Sequence, residues 1–187
     1  MCVVRSIQPY AAQLVSTGES DADRSERKDR RRADPSVRVE HVSGTVREAS
    51  ITESPLSVDR LLGLVSDPTV GGIAIFVGVI RDHDQDAAVA ALDYTHHPAA
   101  EHALRRCAER TAEQHDVISV AVQHRIGHLE VGDLAVVVAA GAVHRGEALK
   151  ACTHLIDTLK AEVPIWKEQR FVSGDTQWVG LPEAGAQ

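Results

Sequence analysis

The sequence predicts an α+β (mixed α/β) domain, on three observations. Short apolar runs of strand length alternate with longer stretches whose apolar residues recur at helical spacing. Two of the short runs, Gly72 to Ile80 and Leu134 to Ala142, are apolar throughout, as strands buried on both faces are. Glycine and proline punctuate the joins between the runs.

Taken in order, Val46 to Thr52 reads as a short strand. Ser57 is placed to cap a helix running to about Ser66, with Leu56 and Leu61 spaced as a hydrophobic staple. Gly72 to Ile80 follows as a buried strand, then Val89 to Tyr94 as another. Pro98 opens a helix through Gln114, with Ala100, Leu104, Cys107, Ala108 and Thr111 as its inward stripe. Val117 to His124 alternates as a strand, and Gly127 and Gly132 punctuate its connection to the strand Leu134 to Ala142. A helix from Gly146 to Glu162 buries Ala148, Cys152, Leu155, Ile156 and Leu159. Pro164 stops it, and Arg170 to Val179 reads as a hairpin around Ser173 to Asp175.

A chain of 187 residues has room for one domain with a proper core. Ser16 to Pro35 carries Ser, Asp, Glu and Arg with almost nothing apolar, including the charge run Arg27 to Arg32. Such a stretch cannot bury enough surface to offset its ordering entropy. Residues 1–45 are therefore expected to be a disordered or dispensable extension, 46–180 the domain, and 181–187 a flexible tail. A net charge of −7 argues against a nucleic-acid partner. No apolar run is long enough to span a bilayer, so no membrane role is expected, and Met1 to Ser6 lacks the layout of a signal peptide. Cys2, Cys107 and Cys152 are far apart, and the latter two fall on apolar helix faces. They read as buried reduced thiols, which suits the cytoplasm.

Lys160 and Lys167 bracket Pro164-Ile165-Trp166, just where the long helix must stop, and both tryptophans of the chain lie nearby. A helix end with a sharp exit can bring two ammonium groups into one pocket, and an anionic substrate is the natural reason for doing so. A lysine complementing the helix dipole beside a solvated one is the simpler structural reading. His144-Arg145 precedes a helix whose free N–H groups favour anions, although a capping histidine beside a surface arginine fits as well. Arg81 ends a strand, where a rigid sheet positions functional groups; taken alone it reads as a solvated arginine. His96, His97, His124 and His128 lack a Cys or carboxylate to complete a ligand set, so neither a metal nor a cofactor is expected.

In order and spacing, five segments resemble one known family: Gly71 to His83 with Leu92 to Tyr94; His124 to Asp133; His144 to Ala148; Ile156 to Lys160 with Pro164 to Lys167; and Gly174 to Val179. The chain resembles the large, catalytic subunit of molybdopterin synthase, the MoaE family, over roughly Val46 to Val179. The resemblance implies an α/β hammerhead-type domain with a small additional β subdomain, assembled as a homodimer. It implies a sulfurtransferase that converts cyclic pyranopterin monophosphate to molybdopterin, in molybdenum cofactor biosynthesis. The sulfur would come from the C-terminal thiocarboxylate of a small ubiquitin-like carrier (MoaD-type), whose Gly-Gly tail enters each large subunit. Lys160 and Lys167 match the two lysines of the active centre. Arg81, His144 and Arg145 match substrate-binding residues, and Phe76 lines the same site. Lys167 is expected to hold the carrier's tail and Lys160 to act as general acid/base.

The sequence departs from the family at Glu168-Gln169, where a basic and then an acidic residue are usual, and Glu168 is expected to pair with Lys167. It also departs at Gly141 to Val143, which lacks a small hydroxyl residue, and between Asp82 and Ala88, which lacks a glycine. A non-catalytic dimeric module for a ubiquitin-like partner, or a lysine-dependent enzyme on another phosphorylated small molecule, are the competing readings.

Overall fold

The structure is a computed structural model, and it describes residues 44–84 and 87–180. The expected extension, apart from Gly44 and Thr45, and the expected tail lie outside the described residues. Within them the mixed α+β architecture is as expected: nine strands and three helices, in two sheets.

The first sheet contains β1 (Thr45–Thr52), β5 (Ser119–Arg125), β7 (Leu134–Ala142) and β2 (Gly72–Val79), in that order across it. β1 runs parallel to β5, and the other two pairings are antiparallel. Side-chain alternation divides the sheet between two cores. Val120, Val122 and Val138 face α2 (Ala100–Gln114) and α3 (Arg145–Glu162), against Leu104, Cys107 and Leu155. Ala121, Val137 and Ala139 face α1 (Val58–Val65), against Leu61 and Val65. Gly141 lies where a Cβ would come 2.6 Å from the Val65 carbonyl oxygen, so the close approach of α1 excludes any larger residue.

The second sheet is built on β4 (Ala87–His96). One edge of β4 pairs with β8 (Ile165–Phe171) and through it with β9 (Thr176–Val179). β3 (His83–Asp84) and β6 (Gly127–Glu130) also pair with β4. Leu92, Leu129, Val89, Ile80 and Ala135 form its core.

Local chemistry accounts for the helix ends. The Ser57 hydroxyl accepts the Arg60 N–H at 3.2 Å, and Leu56 and Leu61 are buried in one cluster as a staple. Replacing Ser57 with alanine should lower unfolding free energy by about 1 kcal/mol, measured by urea denaturation. The second helix starts later than expected. His97 accepts the Ala99 N–H on Nδ1 and the Ala100 N–H on its carbonyl, so Pro98 sits in the preceding turn. α3 ends at Glu162, as Pro164 requires.

Two strands differ from expectation. β2 packs on both faces, with Ala74 and Phe76 toward α2 and α3 and Ile73, Ile75 and Val77 toward α1. As the sheet edge it is only partly buried: Ala74 alone along it is fully buried, and Val79 is 51% exposed. β6 was expected to be connector; it is a strand because Gly127, at φ 83°, turns the chain from the first sheet onto β4 of the second. The hairpin also starts earlier, at Ile165, so Trp166 and Lys167 belong to a strand. No helix among the described residues is long and apolar enough to cross a membrane.

Candidate active site

A cavity of about 470 Å³ opens where the end of β2, the last turn of α3 and β8 converge. Lys160, Lys167, Arg81 and Phe76 line it, over walls that include Val136, Ile156 and Leu159. Lys160 reaches it from the C-terminal turn of α3, where its ammonium also complements the helix dipole. Its Nζ lies 5.7 Å from the centroid of the Phe76 ring, a cation–π contact. Phe76 is on β2, in register with Val138 of β7, so a core strand holds the ring that steers the amine.

Lys167 approaches from β8, opposite Tyr94 of β4. It is half-buried, and burial pushes its pKa below the usual lysine value. Arg81 and Lys160 push in the same direction, while Asp84 opposes them. The two lysines and Arg81 are thus brought together on one cavity. Arg81 is exposed at the rim and donates to Asp84 at 2.6 Å.

His144 and Arg145 do not join them. They stand exposed at the N-terminal end of α3, whereas Lys160 is in its last turn; fifteen residues of helical rise separate Arg145 from Lys160, about 22 Å. Neither residue lines the cavity of the same chain. Glu168 also departs from expectation. Adjacent residues on a strand face opposite ways, and Glu168 lies near Arg170 at 4.0 Å rather than pairing with Lys167.

Four residues of this region were not singled out as part of an anion site: Tyr94, His124, Asp84 and Gln169. His124 could have been found, since it continues the inward alternation of Val120 and Val122 on β5. It is 6% exposed, its Nδ1 lies 2.7 Å from the Arg125 carbonyl oxygen, and its ring meets Tyr94 edge-on at 5.2 Å. Burial lowers its pKa to about 4, so it is neutral at pH 7; Nδ1 then carries the proton and donates to that carbonyl. Among the described residues, no group of three or more His, Cys, Asp or Glu side chains is arranged to hold a metal ion.

Known proteins share this arrangement of elements. The family described as MoaE protein matches residues 51–162. Over 131 residues the chain is 45% identical to molybdopterin synthase catalytic subunit 1 of Mycobacterium tuberculosis, covering 70% of this chain and 88% of that one. It is 36% identical over 135 residues to the human molybdopterin synthase catalytic subunit, covering 72% of this chain and 71% of its relative. A crystal structure of molybdopterin synthase from Staphylococcus aureus superposes with a TM-score of 0.66 at 27% identity, covering 71% of this chain and 97% of that one. The match across more than half of the sequence, the identity of these relatives and the shared fold together establish that the chain belongs to the MoaE family.

Proposed function

We propose that the chain is the catalytic subunit of a molybdopterin synthase, a sulfurtransferase acting on cyclic pyranopterin monophosphate. The observation that carries this reading is the convergence of Lys160, Lys167 and Arg81 on one cavity with apolar walls. A cyclic phosphate and a thiocarboxylate are both anions, and bringing them into contact requires clustered cations. The sulfur of the carrier's thiocarboxylate bonds to a pterin side-chain carbon as that carbon's bond to oxygen breaks, the oxygen leaving as water after protonation or staying on the phosphate as its ring opens. Water then cleaves the resulting acyl–sulfur bond, releasing the tail as a carboxylate and leaving the sulfur on the pterin. A second carrier delivers the second sulfur in the same way. Lys167, whose surroundings favour proton release, suits the proton transfers that the resemblance assigned to Lys160, so the two roles are exchanged. Lys160, held over Phe76, suits pairing with the tail or the phosphate.

The partner is a small ubiquitin-like carrier of the MoaD type, whose Gly-Gly tail would enter the open side of the cavity. That relatives are named as catalytic subunits supports a partner subunit. The buried free thiols of Cys107 and Cys152 support a reducing compartment, the cytoplasm.

A homodimer completes the site. β2 is an apolar edge strand, a template for pairing with another chain. Its start packs on Arg145, since a Cβ at Gly72 would lie 3.0 Å from the Arg145 Cα, and its end lines the cavity at Gly78 and Val79. Two-fold antiparallel pairing of β2 with a second copy sets the start of one strand beside the end of the other. His144 and Arg145 of the second copy would thereby approach the first copy's Arg81.

Mixing the protein with a thiocarboxylated carrier and cyclic pterin should yield molybdopterin; absence of product overturns the assignment. The dimer reading has its own test. Arg145→Ala and Lys167→Ala should each be inactive, yet co-refolded together they should regain about a quarter of wild-type activity. Half of the dimers are then mixed, and each mixed dimer keeps one intact site of two. Failure to regain activity would reject the shared site.

A further inference from the structure

Among the described residues, the cations of the site stand beside a single acid. A smaller cavity of about 100 Å³ adjoins the first and shares Val79, Arg81, Tyr94 and Lys167 with it. Among the described residues lining the two cavities, Asp84 on β3 is the one carboxylate. One of its oxygens accepts from Arg81 Nη2 at 2.6 Å, and the other accepts from Gln169 Nε2 at 2.8 Å.

Gln169 is 2% exposed and lies two residues along β8 from Lys167, on the same face of the strand. Its bond to Asp84 is its one side-chain hydrogen bond among the described residues. A buried amide with a single anchor is oriented by that anchor, so Gln169 and Asp84 fix each other and tie the two-residue strand β3 to β8. The contact with Arg81 is weaker by itself, because that guanidinium is 67% exposed. The strand neighbour that could have given Lys167 a negative charge directly is an amide; the charge stands across the hydrogen bond instead.

We propose that Asp84, held by the buried Gln169 amide, is a positioning residue of the sulfur-transfer site, clamping Arg81 at the cavity and supplying negative charge that faces Lys167. This rests on the synthase reading above. Among the described residues lining the two cavities, the ionisable groups around Lys167 are Arg81 beyond β2, His83 and Asp84 on β3, Tyr94 on β4, His124 on β5 and Lys160 at the end of α3. The His83 ring is engaged by Asp82, its Nδ1 2.6 Å from that carboxylate. His124 is neutral at pH 7, and burial raises the Tyr94 pKa, so neither carries charge there. Burial, Arg81 and Lys160 all drive the proton from Lys167, and Asp84 holds it. The pair therefore sets how readily Lys167 gives up its proton.

The test moves the carboxylate across its hydrogen bond. Wild type, Asp84→Asn and the double variant Asp84→Asn/Gln169→Glu are compared by two readouts. One is the pH dependence of Lys167 acetylation by acetic anhydride, followed by peptide mass spectrometry; the other is the pH–rate profile of molybdopterin formation. Asp84→Asn should shift the Lys167 midpoint to lower pH and carry one limb of the rate profile with it. The double variant, in which the amide introduced at position 84 donates to the carboxylate introduced at position 169, should return both toward wild type. An unchanged midpoint in Asp84→Asn, or a double variant that stays with the single one, overturns the proposal. Should the double variant fail to fold, Asp84→Ser decides on the same acetylation readout, with a lowered midpoint expected and an unchanged one fatal. An inactive wild-type protein would strike the synthase reading, while the acetylation midpoints still decide whether Asp84 sets the charge of Lys167.

Discussion

Replacing Lys167 with alanine should lower the rate of molybdopterin formation by at least about a hundred-fold while leaving the fold intact. Loss of one preorganised donor, or of a general acid or base, costs on the order of a hundred-fold or more. The fold should survive because Lys167 is not a favourable native contact. Its pKa is lowered, so its ammonium is less stable in the native state than in the unfolded chain. Removing that charge relieves the native state, and the melting temperature should stay level or rise, the trade between stability and activity common at active sites. Lys160→Ala should give a comparable loss of rate, with a small cost from the helix end, about 0.3–1 kcal/mol. Retained turnover in both variants would remove the lysine pair from the chemistry.

The second large effect is on stability against acid. His124 has a native pKa of about 4, against 6.5 when unperturbed. Between these values the unfolded chain binds a proton that the native protein refuses, so stability rises with pH across this window and is lost as pH falls from 6.5 to 4. The full contribution is about 3 kcal/mol. It should appear as a fall in the urea midpoint between about pH 7 and about pH 4. His124→Asn keeps a donor for the Arg125 carbonyl but cannot titrate, so its curve should be flatter by that amount, whatever its starting stability. An equal acid slope in both proteins would show that the loss arises elsewhere.

The sequence was most legible where local chemistry decides. α3 has its limits within one residue of expectation because Pro164 forbids continuation and the apolar stripe is unbroken. The continuous apolar run of β7 does lie buried between α1 and the α2–α3 layer. The same pattern overstated the burial of β2, because an apolar run does not tell an edge strand from a central one. β6 was missed because Leu129 is its one apolar residue beside Gly127, His128 and Glu130, and its pairing with β4 rather than its own pattern makes it a strand. The cations were legible because lysines around a proline at a helix end are chemically conspicuous. Asp84 and Gln169 were not, because their bond spans 85 residues of sequence and exists only once β3 and β8 have settled.

The length of α3 has a consequence of its own. Its buried stripe of Ala148, Cys152, Leu155, Ile156 and Leu159 locks the helix rotationally against the sheet. Inserting one residue within it would turn one end by about 100° relative to the other. Lys160 and the His144-Arg145 pair would then lose alignment together, although they serve different cavities in the proposed dimer. Natural variation should therefore lengthen or shorten the loops of this fold freely while leaving the interval between those residues untouched.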